Sequence, residues 1–306
     1  MSRLTPLRLL CLLLTTLPSG TAFAEEVTLP YQGITLNANL AMAPDKTFAN
    51  GVVLIIHGTQ AHNGLELIQG LQERFLDQDR NSLAITFSLG VDNRRGLYDC
   101  SIPSTYRHSD AVQEIDAWVA WLKSQGVRSV VLAAHSRGGS QSLWYATEHD
   151  QDVIKSLVLL APGLSSTERE VSAYRERFDS ELEPLLAKAQ ALVDAGKGDT
   201  LLEHVPFLFI CPDTSVTAEA FVSFYRDDPR RDTPYWLDKI AKPTLILVGE
   251  NDEVIPELSE RVSPFADGKL VQVTVIDGAG HFFRDLNLDD AVDAAIEFIE
   301  AVEADQ

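Results

Sequence analysis

The stretch from 129 to 140 constrains the fold more than any other part of the chain. It begins with Val130-Val131-Leu132, a continuous apolar run typical of strands buried on both faces. A helix is predicted over 141–147, so the chain has to turn sharply between the two. Ser136 lies on this turn, with Ala134 two residues before it and Gly138 two residues after it. The stretch therefore predicts a buried strand, a tight turn and a helix, with a serine at the turn.

Such a turn forces its central residue into strained backbone angles and brings neighbouring backbones close together. Only small residues then fit on either side, which is the G-x-S-x-G pattern with Ala134 in place of the first glycine. The turn exposes the Ser136 hydroxyl and points the N-terminus of the next helix at it. The backbone N–H of Arg137 is then placed to bind a developing oxyanion. A serine between small residues also occurs in ordinary loops, but the flanking strand and helix favour the sharp turn.

The first 24 residues have the pattern of a secretory signal peptide. Arg3 and Arg8 form a basic start, residues 9–14 form a short apolar core, and Ala22-Phe23-Ala24 is a small-residue cleavage site. The apolar core is too short to span a membrane as a stable helix, and no later stretch is long and apolar enough to do so. We therefore expect cleavage after Ala24, a periplasmic or secreted protein, and no integral membrane segment once the signal is removed.

The chain is strongly acidic, with 45 Asp and Glu residues, 25 Lys and Arg residues and a formal net charge of −20 at pH 7. A surface of this sign repels phosphate backbones and anionic lipid headgroups, so we expect neither nucleic acid nor an anionic membrane as a partner. The charge does not identify a substrate. An acidic surface that keeps an exported protein soluble explains it.

Two cysteines, Cys100 and Cys211, remain after the predicted signal peptide. One disulfide is the simplest use of such a pair in an oxidising compartment. Two separate buried thiols are the alternative. With so few thiols and no C-x-x-C spacing, we predict no metal site.

Short apolar runs alternate with helical patterns after residue 24. They predict further strands at 27–29, 34–40, 51–56, 83–88, 154–160, 244–248 and 270–276, and helices at 64–76, 109–124 and 289–302. The first two strands are expected to pair antiparallel around Gln32-Gly33. Alternating helices and fully apolar strands predict an α/β fold with a mainly parallel, doubly wound sheet.

About 80 residues separate the strand at 154–160 from the strand at 244–248. This segment is rich in charged residues and helix formers, and its clearest helix covers 168–195, with a break or a new start at Pro184. We therefore predict an α/β core over 25–164 and 236–306 and a helical insertion over 165–235.

A serine needs a base to become a nucleophile, and the base needs an acid to orient it. Asp252 follows the strand at 244–248, and functional side chains collect at the carboxyl ends of parallel strands. Glu250 and Glu253 lie in the same loop and compete for this role. After the last strand comes Gly278-Ala279-Gly280-His281, a tight loop that can lower an imidazole onto the serine.

Four motifs together resemble the α/β-hydrolase family, and the resemblance covers nearly all of the chain after the signal peptide. They are His57-Gly58-Thr59, the turn at Ser136, Gly249-x-x-Asp252-x-x-Ile255-Pro256 and Gly278-x-Gly280-His281. The resemblance implies Ser136 as nucleophile, His281 as general base and then acid, and Asp252 as orienting acid. It also implies an oxyanion hole formed by the N–H groups of Thr59 and Arg137, and a helical cap formed by the insertion.

The α/β-hydrolase fold serves several reactions, so the resemblance leaves the chemistry open. We expect cleavage of a small-molecule carboxylic ester, or a thioester, through an acyl-enzyme and without a cofactor. A serine at the turn argues against dehalogenases and epoxide hydrolases, which use aspartate there. A peptidase or amidase and an acyltransferase remain alternatives, as does a non-catalytic binding protein that has kept the fold. The acyl chain length and the oligomeric state stay open.

Overall fold

The computed structural model describes residues 24–149 and 152–305 of the 306-residue chain. Of the predicted signal peptide, only Ala24 lies within the described residues. The strands are β1 (Glu25–Tyr31), β2 (Ile34–Ala41), β3 (Val52–Ile56), β4 (Ser82–Thr86), β5 (Val130–His135), β6 (Ile154–Leu160), β7 (Leu201–Phe207), β8 (Cys211–Thr217), β9 (Thr244–Gly249) and β10 (Val271–Ile276). The helices are α1 (Glu66–Asp77), α2 (Asp110–Ser124), α3 (Arg137–Glu148), α4 (Thr167–Phe178), α5 (Leu182–Asp194), α6 (Ala218–Tyr225), α7 (Thr233–Leu237), α8 (Leu258–Val262) and α9 (Leu286–Ala304).

Eight strands form one sheet in the order β1-β2-β4-β3-β5-β6-β9-β10. β2 pairs antiparallel with β1 and with β4, and every other pair in this sheet is parallel. Every residue of β3, β4, β5 and β9 is buried, so helices must cover both faces of the sheet. α1 packs against α9, and α2 packs against α3. The predicted mainly parallel α/β sheet and its antiparallel first hairpin are confirmed.

Parallel strands bring distant parts of the chain to one edge. In this sheet β3 lies next to β5, and β9 lies next to β10. Only β6 separates the two pairs, so the carboxyl ends of all four strands are close together. The loops that leave them begin at His57, Ser136, Glu250 and Asp277. Side chains that are more than 140 residues apart in the sequence therefore meet at this edge.

The segment between β6 and β9 differs from its sequence-based prediction, because it contains an antiparallel β7–β8 hairpin as well as helices. Its pairing shifts register around Val205, and His204 has a positive φ of 55°. These irregularities interrupt the alternation of apolar and polar residues that identifies a strand in a sequence. The helix predicted over 168–195 is two helices, divided at the left-handed residue Asp179. Pro184 lies in the first turn of α5, where a proline sacrifices no helical hydrogen bond.

A disulfide joins Cys100, in the loop after β4, to Cys211 at the start of β8, with the two Cα atoms 5.4 Å apart. Thr214 Oγ1 donates to the Cys100 carbonyl at 2.7 Å. Ser104 extends the same attachment, because it exchanges backbone hydrogen bonds with Ser215 and Thr217 at 2.8 and 2.9 Å. The β7–β8 hairpin is thus held to the loop after β4. None of the helices in the described ranges combines the length and the apolar composition that a membrane span requires.

Glu114 is a carboxylic acid on the buried face of α2. The apolar residues that predicted this helix, Val112, Ile115, Trp118, Val119 and Leu122, are all buried. Glu114 is only 2% exposed, and its carboxyl group accepts hydrogen bonds from the N–H and the hydroxyl of Ser88. Burial raises the pKa of Glu114 to about 7, although the Ser88 hydrogen bonds and Arg94 act in the opposite direction.

This raised pKa predicts that stability falls as the pH rises from about 4.5 towards 7, because the folded state binds a proton there that the unfolded state releases. Glu114→Gln keeps an acceptor for the Ser88 N–H and removes the ionisation. We expect the variant to escape this loss, so that its free energy of unfolding minus that of the parent is up to roughly 3 kcal/mol higher at pH 8 than at pH 4.5. Urea titrations at both pH values measure the difference. Glu176→Gln, at an exposed position on α4, is the matched control and should follow the parent protein.

Candidate active site

Ser136 lies at the junction of β5 and α3 with φ 53° and ψ −127°, a strained conformation for a residue with a side chain. Such a conformation costs about 1–3 kcal/mol and persists only where its surroundings hold it. Here the Ser136 N–H donates to the Leu160 carbonyl at 2.9 Å. The Ser136 carbonyl accepts from the N–H groups of Gly139 and Gly163, both at 2.8 Å. Strand β6 and the first turn of α3 thus hold the serine in the predicted turn.

The small residues around Ser136 are required by a close approach of two backbones. A Cβ atom at Gly138 would lie 2.4 Å from the carbonyl oxygen of His57, so any residue other than glycine would clash with this backbone. Ala134 is fully buried in the middle of the sheet, between β3 and β6. The turn therefore requires glycine at 138, and position 134 is occupied by a small buried residue.

Three loops bring Ser136, His281 and Asp252 together. His281 Nε2 lies 3.1 Å from Ser136 Oγ, and His281 Nδ1 lies 2.9 Å from Asp252 Oδ2. An ionised carboxylate only accepts hydrogen bonds, so the proton of a neutral imidazole is on Nδ1 and the serine hydroxyl donates to Nε2. Asp252 and His281 are 4% and 3% exposed, so water scarcely competes for these bonds.

The Asp252 carboxylate is fixed at both oxygens. Its Oδ1 accepts from the N–H groups of Val254 and Ile255 at 2.8 and 2.7 Å, and its Oδ2 faces His281. Burial acts to raise the pKa of Asp252, but the hydrogen bonds from His281 and from the two backbone N–H groups outweigh it. The pKa of Asp252 therefore lies below its usual range, and the group stays ionised at neutral pH.

The two competing acids of the same loop have other partners. Glu250 Oε2 accepts from the Gly278 N–H at 2.8 Å, and Glu253 Oε2 accepts from the His281 N–H at 3.1 Å. Both carboxylates hold the backbone of the histidine loop, whereas Asp252 contacts the imidazole itself. The structure therefore distinguishes three acids that the sequence left as alternatives.

Thr59 and Arg137 line the same cavity of about 50 Å³ as Ser136. Thr59 follows β3 and Arg137 is the first residue of α3. Neither backbone N–H donates to another group within the described part of the chain. The arrangement offers two N–H donors beside a serine hydroxyl, which suits a developing oxyanion. In residues 24–149 and 152–305, no group of three His, Cys, Asp or Glu side chains is arranged to hold a metal ion.

The model of the alpha/beta hydrolase family matches residues 52–298, which is most of the chain. The chain belongs to the alpha/beta hydrolase family. A comparison with curated proteins found no match.

Solved structures share this alpha/beta hydrolase fold. Est1E from Butyrivibrio proteoclasticus with bound ferulic acid has 21% identity and a TM-score of 0.64, over 91% of this chain and 99% of its own. A thermophilic esterase from Thermogutta terrifontis with bound malate has 19% identity and a TM-score of 0.60, over 91% and 99%. A monoacylglycerol lipase from Paleococcus ferrophilus has 18% identity and a TM-score of 0.59, over 87% and 98%.

Two further side chains of this alpha/beta hydrolase hold the loop that carries Thr59. The His57 ring donates from Nδ1 to the Gly58 carbonyl at 2.8 Å and accepts from the Phe87 N–H at Nε2 at 3.0 Å. This arrangement requires a neutral ring, and burial together with Arg94 lowers the pKa of His57 to about 3. Arg94 donates to the Ala61 carbonyl at 2.6 Å. Sequence analysis missed Arg94, because its partner Ala61 lies in a different loop.

His135 is a third supporting residue that sequence analysis missed. Its Nε2 lies 3.0 Å from the carbonyl oxygen of His281, so this nitrogen carries the proton and donates. The two rings lie 4.8 Å apart. Burial, reinforced by His281, lowers the pKa of His135 to about 3, which keeps the ring neutral beside the second histidine. The only feature of the sequence that could have indicated this role is that His135 directly precedes Ser136.

Proposed function

We propose that this protein is a serine hydrolase that cleaves a small-molecule carboxylic ester, or a thioester, through an acyl-enzyme. The observation that carries the proposal is a pair of hydrogen bonds through one imidazole. His281 Nδ1 lies 2.9 Å from Asp252 Oδ2, and His281 Nε2 lies 3.1 Å from Ser136 Oγ. The esterases and the lipase of the same fold support ester cleavage. In this proposal Ser136 is the nucleophile, His281 the base and acid, and Asp252 the orienting acid.

In the first half of the proposed reaction, Ser136 Oγ attacks the ester carbonyl carbon as its proton passes to His281 Nε2. The carbonyl oxygen becomes an oxyanion, which the N–H groups of Thr59 and Arg137 stabilise. The imidazolium that forms is stabilised by the Asp252 carboxylate. His281 then gives its proton to the leaving alcohol, and an ester links the acyl group to Ser136.

The second half repeats these steps with water as nucleophile. His281 takes a proton from the water, the hydroxide attacks the acyl carbon, and the proton returns to Ser136 Oγ as the acid leaves. No step needs a cofactor or a metal ion. The hydrogen bonds to the Ser136 backbone, to Asp252 Oδ1 and from the His281 N–H hold the reacting groups in position.

We also propose that the segment 165–235 is a cap over this site and that the protein is exported. Ser165, Arg169, Phe209 and Arg231 of this segment line the cavity that contains Ser136. The disulfide between Cys100 and Cys211 is typical of an oxidising compartment, and it attaches the proposed cap to the loop after β4. Both features agree with the signal-peptide pattern of residues 1–24.

Labelling with a fluorophosphonate tests the proposal, because this probe reacts with an activated serine. We expect one equivalent of label on the peptide that contains Ser136, identified by mass spectrometry, and loss of ester hydrolysis in step with labelling. A panel of p-nitrophenyl esters, thioesters and aminoacyl anilides then identifies the preferred acyl bond, with esters and thioesters expected to exceed anilides.

The matched controls are heat-denatured protein and Ser136→Ala, neither of which should take up the label. A native protein that hydrolyses none of the panel and leaves the probe unreacted would be a binding protein on this fold, and the proposed function would be wrong.

A further inference from the structure

The lining of the cavity beside Ser136 includes four charged side chains. Pockets for neutral small molecules are mostly apolar with a few polar groups. This cavity, of about 50 Å³, is lined among others by Ser136, His108, Arg137, Arg169, Glu170 and Arg231. Three of these residues are arginines and one is a glutamate, in a chain whose formal net charge is −20.

Two of the three arginines are neutralised by carboxylates of the protein. Arg169 donates to Glu257 and to the Val254 carbonyl, both at 2.5 Å. Arg231, which is 5% exposed, lies 3.3 Å from Glu170 and also donates to two backbone carbonyls. The charges of Arg169 and Arg231 are therefore both paired within the protein. One nitrogen of Arg231, Nε, is buried without a hydrogen-bond partner.

Arg137 is the arginine without such a partner. Its guanidinium lies over the Phe224 ring, 5.2 Å from the centroid, and its buried Nη1 has no hydrogen-bond partner. No carboxylate lies within 4 Å of it in the described part of the chain. Burial lowers the pKa of Arg137, with Glu170 opposing this effect and Arg231 adding to it, but a guanidinium remains charged at neutral pH.

A charged donor left unsatisfied beside the proposed nucleophile is costly. The chain has 45 acidic residues, so the missing partner does not reflect a shortage of carboxylates.

His108, which lines the same cavity, does not compensate the Arg137 charge. His108 is 3% exposed, its Nδ1 has no partner, and burial together with Arg137 and Arg231 holds the pKa of its ring well below the usual range. The ring is therefore neutral.

His108 and Arg231 also line a second cavity, of about 200 Å³. There Arg226 and Arg230 share one carboxylate, that of Asp228, at 3.5 and 2.6 Å. Four arginines and two acidic residues line this second cavity, so its lining carries a net positive charge in an otherwise acidic protein, which favours anions.

We propose that the Arg137 side chain binds a carboxylate of the substrate, so that the ester cleaved at Ser136 carries a free carboxylate a few bonds from its scissile carbonyl. This inference rests on the proposed function. Arg137 follows Ser136 directly and lines the same small cavity, so the two functional groups of the ligand must be close together. The planar guanidinium matches a carboxylate in shape and charge. Monoesters of short dicarboxylic acids are the substrate class that meets these conditions.

A matched pair of esters tests the proposal. Ethyl pentanoate and monoethyl glutarate differ only in that a carboxylate replaces the terminal methyl group of the acyl chain. We expect kcat/KM, measured as acid release in a pH-stat, to be at least tenfold higher for monoethyl glutarate, and this advantage to fall as salt is added. Arg137→Met should reduce the ratio of the two kcat/KM values at least tenfold, whereas Arg137→Lys should keep part of it.

Arg175→Met is the matched control, because Arg175 is an exposed arginine of α4 that pairs with Glu181. It makes the same change in net charge and should leave the ratio of the parent protein. A parent protein that prefers ethyl pentanoate, or an Arg137→Met variant that keeps the preference for monoethyl glutarate, would overturn the inference while the proposed function stands. Failure of both esters together with failure of fluorophosphonate labelling would instead refute the proposed function.

Binding of glutarate to the Ser136→Ala protein gives a readout that does not depend on turnover. Calorimetry at low salt should show at least tenfold weaker binding when Arg137→Met is added to Ser136→Ala. Equal binding in the two proteins would contradict a role of Arg137 in carboxylate recognition. Stronger binding of inorganic phosphate than of glutarate would also contradict it, because the site would then recognise a different anion.

Discussion

Replacing Ser136 by alanine is expected to lower kcat for ester hydrolysis by about 10⁴- to 10⁶-fold. The change removes the oxygen that lies 3.1 Å from His281 Nε2, and no other nucleophile takes its place. His281→Ala should cost about as much, because a serine hydroxyl without a base is a weak nucleophile. The measurement is the steady-state rate with the best ester of the panel, with fluorophosphonate labelling as an independent assay.

The double variant Ser136→Ala, His281→Ala provides the sharpest test of this prediction. Residues that act as one unit lose their contribution together, so the double variant should be barely slower than either single variant. Circular dichroism and a thermal melt check that each protein is folded. A Ser136→Ala protein with near-normal esterase activity would show that the nucleophile is elsewhere.

Asp252→Asn is expected to lower kcat by about 10³- to 10⁴-fold, less than the loss of Ser136. The asparagine carbonyl would take over the hydrogen bonds from Val254 and Ile255, so its NH₂ group would face His281 Nδ1. A donor at this position forces the imidazole proton onto Nε2, and His281 then has no lone pair for the Ser136 proton. A steep loss of kcat with little change in KM is the expected signature.

Glu250→Gln is the matched control for this substitution. Glu250 lies two residues before Asp252 and accepts from the backbone of the histidine loop, a bond that the glutamine oxygen can still accept. We expect a loss of less than about tenfold, since the imidazole keeps its carboxylate. A larger loss for Glu250→Gln than for Asp252→Asn would identify Glu250 as the orienting acid and contradict our assignment.

The sequence by itself determined the elements whose signals are local. The strand, turn and helix around Ser136 follow from a valine-rich run and from small residues at 134 and 138, because only such residues allow the approach of Gly138 to the His57 carbonyl. Continuous apolar runs predicted β3, β6 and β9, because a strand covered on both faces has no polar side. The helical spacing on α2 identified its buried face for the same reason. The count of cysteines allowed a single pairing, Cys100 with Cys211, but it left two separate thiols as the alternative.

The tertiary structure alone decided which groups of distant segments meet. The sequence favoured Asp252 but left Glu250 and Glu253 as competitors, and only the positions of the loops after β9 and β10 bring the Asp252 carboxylate to the imidazole. The β7–β8 hairpin escaped prediction because its bulges break the alternation that marks a strand. The unpaired charge of Arg137 is likewise invisible in the sequence, because a side chain's partners come from segments far away along the chain. Local patterns depend on a few adjacent residues, whereas hydrogen-bond and ion-pair partners depend on how the whole chain packs.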